Sequence, residues 1–384
     1  MSGVRVVYAD GPDGPLPDPS TLGLGEPSEV MLGWVVRQPS WLDDNEVPVT
    51  TFMSGLGTRR PVGSGRVRAV ATRLSAVPGL LAGRLRPDVA VIGAVETTGG
   101  WRVANSPGFT ISAARAATTG VIIERWPADQ VTAVDRRPRL PPISVIDVLD
   151  RRDPPDPPQE NRLGPEHAQI GRLVAGLIPD DATVQWGPGA VGASVVAALD
   201  RPVAVHSGLV TEELVELENR GLLARPAVAG YLWGGVELAQ MVASGRLLLR
   251  DISETHDLSA ISAIPRFVAI NTALQVGLDG AANVETVGGR VVSGPGGHPD
   301  FAAGASRSAG GISVVALPAT AGGRSNIVAR PDVVSTPRAD VDVVVTEYGI
   351  ADLRGATVGE RRERMAAIAA PEHRAELGDQ DLNS

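Results

Sequence analysis

The sequence predicts an α/β fold in two halves, each built on a mainly parallel sheet with helices on both faces. Three observations predict it: short apolar strands alternate with helical segments, glycine-rich turns join them, and a proline-rich segment divides the chain. A chain of 384 residues, 43% of them hydrophobic, is long enough for two such cores.

In the first half, residues 86–96 have the apolar run of a buried strand, residues 111–119 form a small-residue helix, and residues 120–126 return as a strand. Together they predict a βαβ unit. Residues 1–21 are rich in Gly, Pro and Asp and predict a flexible N-terminus, so that the first domain spans residues 22–150.

Prolines over residues 136–142 and 151–165 forbid a continuous helix or a central strand. We therefore expect a linker at 151–164, a second domain at 165–377 and a short tail at 378–384. In the second domain, Ile170, Leu173, Val174 and Leu177 have the spacing of one buried helical face, which predicts a helix that begins near Pro165. Strands at 182–186 and 202–207 and a helix at 193–199 should follow.

Composition excludes several functions. The sequence has no cysteine and no lysine, which rules out disulfides, a thiol nucleophile, a P-loop lysine and a Schiff-base lysine. A net charge of −9 without a basic block argues against nucleic acid as a partner. Neither a signal peptide nor an apolar membrane span is visible, so we expect a cytoplasmic protein with no membrane partner.

Two glycine-rich segments could approach a ligand. Residues 187–192 (GPGAVG) lie between a predicted strand and a predicted helix, where backbone N–H groups and the helix dipole favour an anion. Residues 293–301 (SGPGGHPDF) precede another strand, predicted at 311–319. A tight structural turn and a ligand site both remain open for each segment.

Linked motifs in the second half resemble a known family. They are GPGAV at 187–191, HS at 206–207, AINTALQVGLDGAANVETVGG at 269–289, SGPGGHPDF, ALPATAGG at 316–323 and DVVVTEYGIADLRG at 342–355. Their order resembles that of acetyl-CoA hydrolases and of CoA-transferases that act on acetate, 4-hydroxybutyrate or succinate. The resemblance extends over about residues 22–377, with a shortened N-terminal part. It implies two open α/β domains with an acyl-CoA site in the cleft between them.

The resemblance also implies a mechanism and exposes a departure from it. In these transferases a glutamate attacks the thioester, and a glutamyl-CoA thioester then carries CoA to the acceptor acid. That glutamate follows a His-Ser or His-Thr pair, but this chain has His206-Ser207-Gly208. The expected nucleophile is therefore absent at Gly208.

Three other carboxylates are candidate substitutes. Glu285 and Glu347 lie inside motif segments and could orient water, while Glu212 lies at a predicted helix start, where Thr211 can act as the N-cap. For each of them a structural role remains the alternative. His206 is expected to hydrogen-bond the end of its strand. No metal site is predicted, because the histidines lack ligand spacing.

Relatives have a lysine in the ALPATAGG segment, which this chain lacks; Arg324 could contact a CoA phosphate instead, and a solvated loop charge is the alternative. The candidate CoA contacts are this arginine and three segments that the resemblance implies: the glycine turn, the two residues after the strand near 270 and the second glycine-rich loop. These residues are Gly187, Pro188, Gly189, Ala190, Val191, Asn271, Thr272, Gly296, Gly297 and Arg324. We expect a CoA thioester as substrate or ligand and no permanently bound cofactor.

Three functions remain open. The favoured one is an acyl-CoA-processing enzyme with hydrolase-like, water-based chemistry. The alternatives are an inactive CoA-binding protein, alone or as the partner subunit of an active homologue, and a CoA-transferase that uses another carboxylate and a small carboxylic acid. Relatives of this kind commonly form homo-oligomers, which we also expect here.

Overall fold

The computed structural model describes residues 3–104, 106–151 and 163–378, and they form two mainly parallel sheets. The strands of the first sheet are β1 (Arg5–Tyr8), β2 (Glu29–Leu32), β3 (Val49–Thr51), β4 (Val67–Ala69), β5 (Val89–Thr97), β6 (Gly100–Val103), β7 (Gly120–Arg125) and β8 (Val145–Asp150). They are accompanied by α1 (Arg59–Gly63), α2 (Val77–Ala82) and α3 (Thr110–Ala116). The order across the sheet is β4-β3-β2-β1-β5-β7-β8, with β6 antiparallel to β5.

The strands of the second half are β9 (Thr183–Trp186), β10 (Ala204–Val210), β11 (Ala227–Leu232), β12 (Leu247–Leu249), β13 (Phe267–Asn271), β14 (Gln275–Gly277), β15 (Ala282–Asn283), β16 (Thr286–Val287), β17 (Arg290–Val291), β18 (Ile312–Ala316), β19 (Thr320–Ala321), β20 (Arg324–Ser325), β21 (Ile327–Val328), β22 (Val343–Thr346) and β23 (Gly349–Asp352). The large sheet has the order β12-β11-β10-β9-β13-β18-β22-β23 and is parallel except at β22–β23. The other strands form small sheets of two or three strands.

The helices of this half are α4 (Pro165–Ala175), α5 (Ala190–Ala198), α6 (Glu213–Asn219), α7 (Val236–Ser244), α8 (Ile252–Thr255), α9 (Leu258–Ser262), α10 (His298–Arg307), α11 (Val358–Ala367) and α12 (Arg374–Gly378). Short 3₁₀ helices occupy Pro19–Thr21, Ser40–Leu42, Leu74–Ala76, Ala128–Gln130, Val134–Arg136, Arg338–Asp340 and Pro371–His373. No helix among the described residues is long and apolar enough to cross a membrane.

The predicted α/β class is confirmed, and so are the individual elements. The βαβ unit is β5, α3 and β7, with β5 and β7 parallel neighbours, although the hairpin partner β6 intervenes in the chain. The predicted helix at 165 is α4, whose Ile170 and Val174 are fully buried in the core beneath the second sheet. Of the predicted linker, residues 152–162 lie outside the described residues.

The predicted flexible N-terminus is wrong. Strand β1 lies in the middle of the first sheet between β2 and β5, and Val6, Val7 and Tyr8 are fully buried. The prediction gave too much weight to the Gly, Pro and Asp residues that follow this short apolar run. Those residues form a loop that is held in place, because the Tyr8 hydroxyl donates a hydrogen bond to the Pro17 carbonyl at 2.8 Å.

The strand orders place a crevice in each half. In the second sheet the chain builds outward from β9 to β12 and then returns to build from β13 on the other side. In the first sheet the same reversal separates β1 from β5. Ligands of open α/β sheets bind outside the carboxyl ends of the strands at such a switch point. The ends of β9 and β13 are therefore where the topology positions a site.

Buried hydrogen bonds join the two halves at these ends. Asp10, which follows β1 and is 2% exposed, accepts from the Tyr231 hydroxyl at 2.6 Å and from the Phe109 amide at 3.0 Å. Asp251 accepts from the Ser112 hydroxyl and amide of α3. Asp300 in α10 accepts from the Ser75 hydroxyl at 2.6 Å. Each aspartate accepts a hydrogen bond from a donor in the other half, so the halves meet in a fixed arrangement.

Asp10 makes this contact dependent on pH. Burial raises the pKa of Asp10 from 3.8 to about 7, and the hydrogen bond from Tyr231 only partly offsets that effect. The folded protein therefore binds the proton more tightly than the unfolded chain does. The contribution of this group to stability is greatest below about pH 4 and declines as the pH rises to about 7.

We predict that Asp10→Asn removes this decline. An asparagine can still accept from the Phe109 amide, and its NH₂ group can donate to the Tyr231 oxygen, without a buried charge. Relative to wild type, the free energy of unfolding of the variant should rise between about pH 4 and 7, by up to about 4 kcal/mol, and then stay level. Urea unfolding at a series of pH values measures this difference. The exposed Asp44→Asn controls for the loss of one charge, and a pH-independent difference for Asp10→Asn would contradict the prediction.

Candidate active site

A cavity of about 290 Å³ opens between the two halves at the carboxyl ends of β9, β10 and β13. The first half contributes Trp34, Met53 and Leu74. The second half contributes strand ends and the loop before α10, namely Gln185, Trp186, Gly187, Pro188, Gly208, Leu209, Tyr231, His256, Asn271, Thr272, Val284, Gly294, Pro295, Gly296, Gly297, His298 and Phe301. The topology and the cavity thus identify the same place.

Most of the residues that the sequence predicts to contact CoA line this cavity, and a few do not. The residues at the cavity are Gly187, Pro188, Asn271, Thr272, Gly296 and Gly297, together with Gly208. Gly189, Ala190 and Val191 form the start of α5 directly after the lining turn. Arg324 is exposed on the β19–β20 hairpin and does not line the cavity. Their contact with CoA stays a prediction.

The glycine turn after β9 has a conformational reason for its sequence. Gly189, the N-cap of α5, has φ of +118°, a backbone conformation that residues with a Cβ rarely adopt. The turn therefore brings the backbone of Gly187 and Pro188 to the cavity wall. It leaves the first N–H groups of α5 at the adjoining helix end, where they favour an anionic or carbonyl oxygen.

Gly208 lies against an imidazole. A Cβ at this position would lie 3.0 Å from His256 Nε2 and 3.2 Å from Phe301 Cε2. Both aromatic side chains are buried, His256 at 1% exposure and Phe301 at 2%, and their ring centroids are 4.9 Å apart. A larger side chain at position 208 must therefore displace a packed pair of rings.

The three carboxylates suggested as substitutes hold loops and do not line the cavity. Glu212 accepts from the Gly235 amide, Glu285 from the Ser335 hydroxyl at 2.7 Å, and Glu347 from the Ala319 amide at 2.8 Å. Glu212, not Thr211, is the N-cap of α6, and the Thr211 hydroxyl donates to Glu213. The geometry therefore agrees with the structural alternative for each of these carboxylates.

The imidazole of His256 was not singled out by the sequence. It follows α8, whose N-cap is Asp251, and its Nδ1 lies 3.0 Å from the Thr255 hydroxyl. Burial lowers the pKa of His256 to about 3, and His206 adds to the effect, so the ring is neutral near pH 7. An isolated histidine outside every motif carries no local signal, and only the fold brings it to Gly208.

His206 does not bond to the end of its own strand as expected. Its Nε2 donates to the Thr255 carbonyl at 2.9 Å, which ties β10 to the end of α8. Burial lowers the pKa of His206 as well. The ring of His206 therefore supports the neighbouring His256 from behind and is not itself part of the cavity wall.

Several buried polar atoms beside the cavity have no partner among the described residues. They are Gln185 Oε1, Asn271 Nδ2 and His298 Nε2. The other atoms of these groups are engaged: Gln185 Nε2 donates to Asn271 Oδ1 at 3.4 Å, and His298 Nδ1 lies 2.7 Å from the Thr336 hydroxyl. Because buried polar groups are normally satisfied, unpaired atoms at a cavity indicate a place for a polar ligand.

The cavity wall is largely apolar and carries no formal charge. Among its described lining residues there is no Asp, Glu or Arg, and burial lowers the pKa values of His256 and His298 to about 3 and about 4. The polar groups of the lining are therefore amide, hydroxyl and neutral imidazole groups. Such a lining suits a carbonyl group better than an ion, because no counter-charge is available for a desolvated ion.

Known proteins are similar in sequence to part of this chain. Residues 238–381 match the model of the acetyl-CoA hydrolase/transferase C-terminal domain. The chain is 33% identical over 235 residues to a 4-hydroxybutyrate coenzyme A transferase of Clostridium kluyveri, covering 57% of this chain and 55% of that protein. It is 28% identical over 226 residues to an acetyl-CoA hydrolase of Eremothecium gossypii, covering 54% and 41%. The chain spans about half the length of the curated relatives it matches.

Solved structures share the fold over nearly the whole chain. RipA of Yersinia pestis has a TM-score of 0.83 at 24% identity, with 98% of this chain and 93% of that chain covered. A 4-hydroxybutyrate CoA-transferase of Porphyromonas gingivalis has a TM-score of 0.76 at 24% identity, with 99% and 93% covered. The protein thus has the α/β fold of these two structures. The resemblance to the acetyl-CoA hydrolase and CoA-transferase family is confirmed over residues 238–381, which match the model of the C-terminal domain of that family.

We predict that Gly208→Ala destabilises the protein. The added Cβ meets the His256 and Phe301 rings at 3.0 and 3.2 Å, and overpacking of this kind costs about 1–3 kcal/mol. Gly187→Ala is the matched control, because a Cβ there meets nothing within 4 Å. Urea unfolding should show a lower free energy of unfolding for Gly208→Ala and an unchanged one for Gly187→Ala. Equal effects of the two substitutions would show that the packing at Gly208 has no energetic weight.

Proposed function

We propose that this protein binds an acyl-CoA thioester in the cavity between its halves and hydrolyses it by direct attack of water. One observation carries the proposal: the cavity lies among the motif residues that resemble CoA-dependent enzymes, yet no carboxylate is among its described lining residues. A covalent glutamyl intermediate needs a carboxylate in contact with the thioester. Direct attack by water needs no carboxylate in contact with the thioester.

The proposed reaction balances with water alone. The water oxygen bonds to the thioester carbonyl carbon, the carbon–sulfur bond breaks, and a proton from the water leaves with the CoA sulfur. The products are a carboxylic acid and free CoA. Negative charge develops on the carbonyl oxygen during attack, and the unpaired Asn271 Nδ2 and the N–H groups at the glycine turn are suitable donors to it.

The lining favours an uncharged acyl group. Trp34, Met53 and Leu74 supply an apolar wall, and the Trp34 ring packs edge to face on Tyr231 with centroids 5.9 Å apart. A dicarboxylic acyl group such as succinyl would place its second carboxylate in this neutral environment without a cation. Desolvation without a partner costs several kcal/mol.

A non-catalytic CoA-binding role is the second candidate, alone or as partner of an active homologue. It is favoured by the neutral imidazole that lies where the resembled enzymes are expected to carry a reactive carboxylate. A transferase that uses Glu212, Glu285 or Glu347 is the least supported, since each is engaged with a loop donor. Turnover of an acyl-CoA distinguishes the hydrolase from the non-catalytic binding protein.

We predict that the protein releases CoA from acetyl-, propionyl- or butyryl-CoA without a carboxylate acceptor. A thiol reagent measures this directly, because the chain has no cysteine to react. Succinyl-CoA should react at least about 10-fold more slowly, equivalent to about 1.4 kcal/mol. Binding without release would favour the non-catalytic role, and absence of binding to every member of the panel would refute the proposal.

Matched variants locate the binding in the cavity. Asn271→Ala removes a donor that is unpaired in the free protein and should weaken the affinity for a CoA thioester by about 10-fold or more. Ser313→Ala is the control, since the Ser313 hydroxyl is also buried and unpaired but does not line the cavity. Titration calorimetry should find a loss of affinity for the first variant alone.

A further inference from the structure

The hydroxyl of Thr255 determines which nitrogen of His256 carries the hydrogen. Thr255 is fully buried, and the one partner of its hydroxyl among the described residues is His256 Nδ1, at 3.0 Å. A hydroxyl always has a hydrogen to donate, and a buried donor without an acceptor is costly. Donation to His256 Nδ1 therefore satisfies the buried hydroxyl of Thr255. In a neutral ring with Nδ1 as acceptor, Nε2 must carry the hydrogen.

This Nε2–H group is directed to the cavity wall. Hypothetical Cβ atoms on Gly208 and Gly297 would lie 3.0 and 2.7 Å from Nε2, so the nitrogen sits between two glycines that both line the cavity. Side chains at either position would cover it. The two glycines therefore leave the donor open to a ligand.

Three contacts fix the ring and the segment that carries it. The His206 Nε2–H group fixes the Thr255 carbonyl, and Phe301 packs against the ring. Asp251 caps α8 through the Ser253 amide at 3.0 Å and at the same time accepts from Ser112 in the first half. The contact between the two halves therefore also fixes the position of the imidazole. A donor fixed before the ligand arrives loses little freedom on binding.

We propose that His256 donates its Nε2–H to the carbonyl oxygen of the bound thioester, from the space that a side chain at position 208 would otherwise take. The inference rests on the proposed function and names a catalytic residue for it. No proton is transferred: the ring stays neutral, the hydrogen bond shortens as charge develops on the oxygen, and water supplies the only proton that moves. A neutral imidazole is the form expected for this role, because burial lowers the pKa of His256 to about 3.

The first experiment determines the tautomer by nitrogen NMR of ¹⁵N-histidine-labelled protein. His256→Gln assigns the signal among the five histidines. We expect a protonated Nε2 and an unprotonated Nδ1 that accepts a hydrogen bond. A ketone analogue of acetyl-CoA, in which CH₂ replaces sulfur, should shift the Nε2 proton downfield on binding.

The outcomes separate the two proposals. A protonated Nδ1, or binding of the ketone analogue without a change at Nε2, overturns the inference and leaves the proposed function standing. Failure of the analogue to bind at all refutes the proposed function, and the inference with it. Neither outcome depends on turnover.

The second experiment uses variants. His256→Ala should lower kcat about 100-fold, as loss of one oxyanion donor does, while the KM changes little. Thr255→Val should lower kcat about 10-fold, and Thr255→Ser, which keeps the hydroxyl, should restore it, as expected for a positioning residue. Unchanged kcat in His256→Ala would contradict a catalytic role.

A double substitution tests whether the His256 ring occupies the space that a side chain at position 208 would need. Gly208→Glu alone should lower the urea midpoint, because its side chain meets the His256 and Phe301 rings. In the His256→Ala background the same substitution should cost less. An equal loss in both backgrounds would show that the imidazole does not occupy the space in question.

Discussion

The site depends on one contact, the meeting of two parallel sheets at the carboxyl ends of their strands. Neither half alone encloses the cavity, since Trp34, Met53 and Leu74 come from one half and the glycine loops from the other. Three buried aspartates maintain the contact: Asp10 with Tyr231, Asp251 with α3, and Asp300 with Ser75. Burying a carboxylate is costly, and the cost is met here by several hydrogen bonds to each group. This arrangement links the stability of the contact to the geometry of the cavity.

The chemistry of the cavity follows from its lack of charge. Carboxylates of the chain are used in the contact between the halves and in loops around the cavity, while its wall consists of apolar side chains, amides, hydroxyls, neutral imidazoles and glycine backbone. Weakly solvated dipoles in such an environment stabilise charge that develops on a carbonyl oxygen. The same environment disfavours ions that arrive without a partner. Binding of a neutral thioester and attack by water are consistent with both effects.

The sequence predicts the fold and the location of the site better than it predicts the reacting groups. Alternating strands and helices, together with the glycine turn at 187–192, are local patterns, and the structure confirms the elements that they indicate. The prediction for the N-terminal segment failed because the three apolar residues of this four-residue strand, Val6, Val7 and Tyr8, are outweighed by the loop that follows them. Its burial comes from pairing with β2 and β5, which is not local in sequence.

The position of His256 illustrates the same limit. Its neighbours Gly208 and Gly297 are 48 and 41 residues away in the chain, and its Thr255 partner lies in a helix that no motif covers. The absence of a carboxylate at position 208 is visible in the sequence. What takes its place is a matter of packing between β10, α8 and α10, and local patterns do not encode it.

Single-turnover hydrolysis in H₂¹⁸O tests the central claim most directly. With excess protein over acyl-CoA, direct attack by water places one ¹⁸O atom in the released acid and none in the protein, as measured by mass spectrometry of both. An unlabelled acid, or ¹⁸O in a carboxylate of the protein, would show that a side chain attacks the thioester and would contradict the account.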